Sequence, residues 1–176
     1  EVLFSTFDEP AVRHVQVTDM ALERAKRMAE QGEDVVLFVD SLSRLARASH
    51  ASTPAGGKLM SSSVDISALQ CVRKVFGAAR TLEEGGSLTI FATLLTGSTF
   101  DDVVAEDVLA AANGVLHLDP GLAQRGLHPA LNLWESSTAA RESFLSKEEL
   151  ETVKSLRSTL KGEAQEDLEH AIQGKE

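Results

Sequence analysis

The stretch Val35-Val36-Leu37-Phe38-Val39-Asp40 decides the fold class that we predict for this chain. Five consecutive apolar residues end abruptly in a carboxylate. A half-solvated strand would alternate apolar and polar residues, whereas a strand buried on both faces of a parallel sheet is continuously apolar. An aspartate at the carboxyl end of such a strand lies where open α/β sheets bind their ligands. The stretch therefore predicts an α/β domain with a mainly parallel sheet and a candidate ligand-binding carboxylate at Asp40.

The Asp40 carboxylate has two interpretations. Its position at the end of an apolar strand is that of a Walker B aspartate, which holds Mg²⁺ through water in nucleotide-hydrolysing enzymes. Alternatively, Asp40 caps the turn after an ordinary buried strand. Apolar runs that end in aspartate are common, so both interpretations stay open on this stretch alone.

The flanking sequence extends the α/β pattern. Residues 2–7 predict a strand, and Asp8-Glu9-Pro10 predicts the start of a helix that runs to about Gln31 and stops at Gly32. A strand, a helix and a strand in this order predict a parallel unit with a right-handed crossover. The remaining predicted elements are helices over residues 41–48, 65–80 and 101–112, strands over 87–93 and 114–119, and a hairpin or edge-strand region over 122–133.

The length of 176 residues fits one domain with a sizeable core. We expect a core over residues about 1–145 and C-terminal helices over about 146–173. Ser146 and Glu149 have the spacing of a capping box at the start of those helices. No linker or internal repeat divides the chain.

The composition limits the partners and the compartment. The formal net charge is −10, so any contact with nucleic acid must come from a few local cations or from a ring of subunits. No apolar run is long enough to span a membrane, and no secretory pattern opens the chain. The single cysteine, Cys71, excludes an internal disulfide and fits a reducing cytoplasm.

Several candidate groups follow predicted strands and would meet at one edge of the sheet. They are Glu9, Asp40 and the polar loop Thr96-Gly97-Ser98-Thr99. Glu9 could polarise an attacking water while Asp40 holds a metal. Alternatively, Glu9 only complements the helix dipole in a first turn.

A phosphate-binding loop is not evident in the sequence. The stretch Gly56-Gly57-Lys58-Leu59 lacks the first glycine of a G-x-x-x-x-G-K-[ST] pattern and carries leucine in place of the Mg²⁺-binding hydroxyl. Lys58, in the long Ser- and Gly-rich loop 49–64, is either a contact to a phosphate backbone or a solvated lysine.

Several sequence blocks are more specific than these general patterns. They are Ser5-Thr6-Phe7-Asp8-Glu9-Pro10, Asp40-Ser41-Leu42-Ser43-Arg44-Leu45-Ala46-Arg47-Ala48, Phe76-Gly77-Ala78-Ala79-Arg80 and Glu83-Glu84-Gly85-Gly86-Ser87-Leu88-Thr89-Ile90. Through these blocks the chain resembles the family of the bacterial transcription termination factor Rho, in order and over nearly its whole length. The resemblance implies a RecA-like P-loop NTPase core, truncated at its N-terminal end, from the C-terminal part of the family's motor domain.

That family is a hexameric, cytoplasmic RNA translocase and helicase driven by ATP and Mg²⁺, and it acts on RNA polymerase indirectly. The resemblance makes Glu9 the catalytic glutamate and Asp40 the metal-holding aspartate, with Arg44 and Arg47 as support for the nucleotide site. It assigns RNA contacts in the ring pore to two loops, formed by Lys58, Ser61 and Ser62 and by Thr96, Gly97, Ser98 and Thr99.

The chain also departs from the family pattern. Thr99 stands where the family has a lysine, and Ala139 stands where it has its arginine finger, so that Arg141 could act only after a backbone shift. Such an arginine completes a neighbouring subunit's site. We therefore expect the chain alone to lack ATPase activity and to work within a homo-oligomer. A degenerate, non-catalytic Rho-like interaction module is the alternative, and a RecA-family DNA-handling protein is a weaker third.

Overall fold

The computed structural model describes residues 1–53, 64, 66–140 and 143–162. The chain divides into two compact units, Glu1–Ala111 and Ala112–Glu176. The described helices are α1 (Ala11–Glu30), α2 (Leu42–Ser52), α3 (Ile66–Phe76), α4 (Thr99–Leu109), α5 (Pro120–Gln124) and α6 (Lys147–Gly162). The described strands are β1 (Asp34–Val39), β2 (Arg80–Thr81), β3 (Ser87–Ala92), β4 (Gly114–Leu118) and β5 (Leu131–Thr138).

A three-stranded sheet with the order β1-β3-β2 organises the first unit. β1 and β3 are parallel, with Asp34 opposite Ser87 and Phe38 opposite Phe91, and the crossover between them contains α2 and α3. β2 pairs antiparallel with the other edge of β3. Because parallel neighbours end at the same edge, the residues after β1 and β3 lie together.

The hydrophobic core lies between this sheet and the four helices of the unit. Most of its buried members come from α1, α2, α3 and α4, Val64 and Ala78 lie outside the helices and strands, and the strands contribute Leu88 together with partly buried side chains. The largest fully buried apolar side chains are Leu22, Leu42, Val64, Val72, Val75 and Val104. Helix α1 ends as predicted, because Gly32 has φ +95° and its N–H donates to Ala29 O (3.0 Å) while Glu33 N–H donates to Met28 O (3.1 Å).

The prediction that β1 is buried on both faces is wrong for the described structure. Val35, Leu37 and Val39 face the helices, whereas Val36 and Phe38 on the opposite face are 52% and 76% exposed. The reason is that β1 is an edge strand and that the described helices pack on one face of the sheet only.

The predicted strand over residues 2–7 is also wrong. Residues 1–6 have no regular secondary structure, and Phe4 and Phe7 are 74% and 96% exposed. Among the described strands, none pairs with this segment, and an isolated apolar run cannot satisfy its backbone as a strand. The parallel connection of the unit therefore runs from β1 to β3 instead of from residues 2–7 to β1.

The second unit contains an antiparallel pair, β4 and β5, with a register shift between Val115 and His117. The predicted strand over 114–119 is confirmed, but the region 122–133 differs from the predicted hairpin. Asp119 Oδ1 accepts from the N–H groups of Gly121 (2.7 Å) and Leu122 (3.2 Å) and so caps α5, and the following strand begins only at Leu131.

The capping box at α6 is confirmed. Glu149 N–H donates to Ser146 Oγ (3.3 Å), and Ser146 N–H donates to Glu149 Oε2 (2.9 Å). The capped α6 extends to Gly162, and the predicted helix beyond it lies outside the described residues. None of the described helices is long and apolar enough to cross a bilayer.

Candidate functional site

The carboxyl ends of β1 and β3 form the candidate site. Asp40 follows β1 directly, Thr93 follows β3, and the Thr93 hydroxyl donates a 2.6 Å hydrogen bond to Asp40 Oδ1. Two backbone bonds join the same ends, from Thr93 N–H to Val39 O (3.1 Å) and from Leu42 N–H to Thr93 O (3.1 Å). The Asp40 carboxylate is thus solvent-exposed and oriented by its neighbouring strand.

Helix α2 begins immediately after Asp40, and its cap is Ser41. Ser41 Oγ accepts from Arg44 N–H (3.2 Å), so the role of helix cap falls to Ser41 and the Asp40 carboxylate bonds to Thr93. The buried Ser43 hydroxyl accepts from Leu95 N–H (2.9 Å). These bonds attach the segment after β3 to the start of α2.

Asp40 fits a metal that is held mainly by water and phosphate. Among the described residues, no three His, Cys, Asp or Glu side chains converge on one point. Mg²⁺ prefers oxygen ligands and keeps several waters, so it is bound by one or two carboxylates together with substrate phosphates. A single exposed carboxylate at a sheet edge matches that donor set, whereas it does not match an all-protein metal site.

Glu9 lies just before α1 and is engaged locally. Its Oε2 accepts from Thr6 N–H (2.9 Å), and its Oε1 lies 3.7 Å from Arg13 Nε. No hydrogen bond or ion pair in the described structure joins Glu9 to Asp40. The catalytic role predicted for Glu9 stays a prediction.

The two arginines that follow Asp40 have different surroundings. The side chain of Arg44 is exposed and has no hydrogen-bond partner among the described residues. Arg47 donates from Nε to Asp101 Oδ1 (3.2 Å) and from Nη2 to Asp101 Oδ2 (2.5 Å), and its guanidinium lies 5.4 Å from the ring centroid of Phe100. Arg47 therefore links α2 to the first turn of α4. Its predicted support for the nucleotide site is untested.

The Asp101 carboxyl group is buried and charged. The hydrogen bond from Arg47 is the largest cause that lowers its pKa below the usual value of 3.8, and the hydrogen bond from Ser98 lowers it further, against the opposing effect of burial. The same pairing raises the pKa of Arg47. The pair is therefore ionised on both sides over the physiological pH range.

The predicted loop Thr96-Gly97-Ser98-Thr99 forms the entry into α4. Gly97 has φ +96°, a left-handed conformation that glycine adopts without strain, and its N–H donates to Asp102 Oδ1 (2.8 Å). Ser98 is the N-cap of α4, with Oγ accepting from Asp101 N–H (3.2 Å). Thr96 and Thr99 are exposed.

Four further predicted site residues lie outside the described residues. They are Lys58, Ser61, Ser62 and Arg141. The structure adds Thr93, Ser43 and Asp101, which the sequence analysis did not assign to the site. Ser98 and Asp101 carry a recognisable signal, because Ser-x-x-Asp before an apolar run is a helix-capping pattern.

Comparisons with known proteins identify relatives that match most of the chain. Residues 1–138 match the family model described as ATP synthase alpha/beta family, nucleotide-binding domain. The chain is 48% identical over 162 residues to the transcription termination factor Rho of Chromobacterium violaceum and 49% identical over 162 residues to that of Neisseria gonorrhoeae. Each match covers 91% of this chain and 39% of the relative, so the chain spans about two fifths of the length of these relatives.

Solved structures confirm the fold. A prototypical ATPase from the type III secretion system of pathogenic bacteria superposes with a TM-score of 0.77 at 24% identity, covering 87% of this chain and 44% of that one. The assembled ATPase EscN of enteropathogenic E. coli superposes with a TM-score of 0.78 at 23% identity, covering 97% of this chain and 41% of that one. The predicted resemblance to Rho and the α/β, RecA-like fold class are both confirmed.

Proposed function

The chain belongs to the ATP synthase alpha/beta family through its nucleotide-binding domain, and we propose that it supplies the metal-holding and RNA-contacting part of a Rho-type, ATP-driven RNA translocase. The relatives that support this are named transcription termination factor Rho. The chain matches about two fifths of each, so it would act within a larger assembly that also contains a phosphate-binding loop.

One observation carries the proposal. The parallel pair β1 and β3 places the Asp40 carboxylate against Thr93, and the loop that begins at Thr96 follows three residues later. The proposed metal-holding group and the proposed nucleic-acid loop therefore follow neighbouring strands at one sheet edge. Open α/β sheets bind their ligands at this edge.

The chemistry at this edge follows from the side chains present. A bound Mg²⁺ ion would neutralise negative charge on the phosphates of ATP. Asp40 would hold the metal's water shell, with Thr93 fixing the orientation of the carboxylate. Glu9 would accept a hydrogen bond from the attacking water, for which its carboxylate keeps acceptor capacity beside the bond from Thr6 N–H.

The RNA contacts of the proposal come from two loops. Thr96, Gly97, Ser98 and Thr99 offer hydroxyl and backbone groups to a phosphate backbone, and Lys58 with Ser61 and Ser62 would supply the cation and further hydroxyls. The net charge of −10 makes binding by one copy weak, which favours a ring with RNA in its pore. In a ring, Arg141 would face the neighbouring subunit's nucleotide. RNA polymerase would be an indirect partner, in the cytoplasm.

A second candidate is a non-catalytic Rho-like interaction module. It is favoured by the engagement of Glu9 with Thr6 and Arg13 and by Ala139 at the expected finger position. Such a module would keep the fold and the contacts between subunits but would not hydrolyse ATP.

The two candidates are separated by a chimera. The residues of this chain that match the Chromobacterium violaceum relative replace the corresponding stretch of that protein, and RNA-stimulated phosphate release is measured with the parent as reference. The translocase proposal predicts that the chimera assembles and hydrolyses ATP when RNA is added. It also predicts that the isolated 176-residue chain shows no RNA-stimulated ATP hydrolysis. An assembled chimera without turnover supports the non-catalytic module, and turnover by the isolated chain that Glu9→Gln abolishes contradicts the dependence on a larger assembly.

A further inference from the structure

Arg47 is bonded to the start of α4, and this contact bears on the shape of the loop before that helix. The Asp101 side chain is 6% exposed, and both of its oxygens are occupied by Arg47. Ser98 Oγ also donates to Asp101 Oδ2 (2.6 Å). A buried carboxylate with this many donors holds its neighbours in one arrangement.

Ser98 is the point at which these bonds meet. Its hydroxyl donates to Asp101 Oδ2 and accepts from Asp101 N–H (3.2 Å) and from Arg47 Nη2 (3.3 Å). A hydroxyl has one donor and two acceptor lone pairs, so all of its bonding capacity is used within the protein. Ser98 is therefore unlike its exposed neighbours Thr96 and Thr99, which are turned to solvent.

Arg47 works together with Ser43 on one face of α2. The two residues are four positions apart and so lie one turn apart on the same face. Ser43 Oγ accepts from Leu95 N–H (2.9 Å), on the strand side of the loop, and Arg47 holds Ser98 and Asp101 on its helix side. The loop at residues 96–99 is thus anchored at both ends to the helix that begins two residues after Asp40.

We propose that Arg47 is a positioning residue that fixes the loop Thr96-Gly97-Ser98-Thr99 through Asp101 and Ser98, so that Thr96 and Thr99 present their hydroxyls to a nucleic-acid backbone. The nature of the ligand rests on the proposed function, whereas the positioning role rests on the contacts of Arg47. The role differs from the support of a nucleotide site, because the guanidinium is engaged by α4.

The chain offers a matched control in Arg73. Arg73, on α3, makes the same kind of pair with another carboxylate of α4: its Nε donates to Asp107 Oδ2 (2.8 Å) and its Nη2 donates to Asp107 Oδ1. Asp107 lies near the other end of α4, away from the loop. Arg73→Met removes one arginine and one α4 ion pair, as Arg47→Met does, without touching Ser98 or Asp101.

The test is amide hydrogen exchange of the full 176-residue chain. In Arg47→Met, exchange at residues 95–102 is expected to rise about tenfold or more, as expected for loss of a charge-assisted hydrogen bond. Arg47→Lys is expected to restore part of the protection, and Arg73→Met to leave these residues as in the wild type. Equal exchange at 95–102 in Arg47→Met and Arg73→Met, or a uniform rise over residues 1–111, overturns the proposal.

Two additions keep the test decisive. If Arg47→Met does not fold, Asp101→Asn takes its place, because it keeps the helix cap while weakening the bond from Arg47, and the same local rise in amide exchange is required.

The affinity for RNA is measured with a fluorescent oligouridylate. This affinity is expected to fall several-fold in Arg47→Met and to stay unchanged in Arg73→Met. A wild-type chain that binds no oligouridylate counts against the RNA contact of this chain alone, while the exchange data still decide the role of Arg47.

Discussion

Thr93 and Asp40 connect the carboxyl ends of two neighbouring parallel strands, because the Thr93 hydroxyl donates a 2.6 Å hydrogen bond to the Asp40 carboxylate. The bond holds the candidate metal ligand against β3, the strand that leads into the loop at residues 96–99. The orientation of the Asp40 carboxylate at the end of β1 thus depends on Thr93, which lies 53 positions further along the chain.

Removal of this hydrogen bond has a predictable cost. Thr93→Val keeps the shape of the side chain and removes the donor, so the unfolding free energy is expected to fall by about 0.5–1.5 kcal/mol, near the low end because the bond is exposed. Urea denaturation measures the difference. Thr89→Val is the control, since Thr89 lies on the same exposed face of β3, and it should change stability by less than about 0.5 kcal/mol. Equal effects of the two substitutions would refute the assigned role of Thr93.

Gly86 lies where two backbones approach closely. A Cβ atom at this position would stand 1.8 Å from the carbonyl oxygen of Glu33, and Gly86 N–H already donates to Ala29 O (2.9 Å). Gly86→Ala must therefore displace the start of β3 from the end of α1, which we expect to cost at least about 1–3 kcal/mol. Thermal unfolding compares it with Gly114→Ala, whose added Cβ would meet its nearest neighbour at an ordinary 3.9 Å. A Gly86→Ala variant as stable as Gly114→Ala would contradict the close approach.

The Arg47–Asp101 pair predicts a specific acid response. The pKa of Asp101 in the folded chain lies below its usual value of 3.8, so its contribution to stability is complete above that value and is lost as the pH falls through the lowered pKa. In Arg47→Met the pKa of Asp101 should rise, and the loss should begin at higher pH. At neutral pH, Arg47→Met should lower the unfolding free energy by about 1–3 kcal/mol. This is less than for a fully buried pair, because Arg47 is half-exposed.

Carboxyl carbon chemical shifts of Asp101 measure this titration directly. The wild-type resonance should titrate below pH 3.8 and the Arg47→Met resonance closer to or above it. The matched variant Arg73→Met should leave the Asp101 titration unchanged. A wild-type Asp101 that titrates at its usual value would show that the pair does not form in solution.

The open face of the sheet should bind hydrophobic dyes. Phe38 and Phe91 stack there at a centroid distance of 5.4 Å, beside the half-exposed Val36. Phe38→Ser should reduce the fluorescence of a bound dye in the native chain and cost about 0.5–1.5 kcal/mol for the aromatic pair. Phe144→Ser, at a similarly exposed phenylalanine in the second unit, should leave the stacked pair and its dye signal intact.

The sequence predicted the local features of the fold well. Apolar periodicity located β1, β3 and the first helix to within one or two residues, and Gly32 and the Ser146–Glu149 box marked helix ends through chemistry that acts over a few residues. These signals act over a few neighbouring residues, so they do not depend on the tertiary packing of the chain.

Features set by distant neighbours were missed. The continuous apolar run of β1 suggested two buried faces, but an edge position and a one-sided helix layer leave Phe38 exposed. Residues 2–7 have strand composition, yet no described strand pairs with them. The same limit applies to the site: Arg47 meets Asp101 across 54 positions, a contact that no local pattern contains.

We propose that the carboxyl ends of β1 and β3 form the catalytic edge of a Rho-type ATPase, and the most direct measurement of this is RNA-stimulated phosphate release by the chimera. Asp40→Asn and Glu9→Gln should each reduce the rate by about 10²–10⁴-fold. Glu30→Gln, at an exposed carboxylate of α1, should leave the rate within about twofold, because surface substitutions away from special features have small effects. Full activity in Asp40→Asn would contradict the claim.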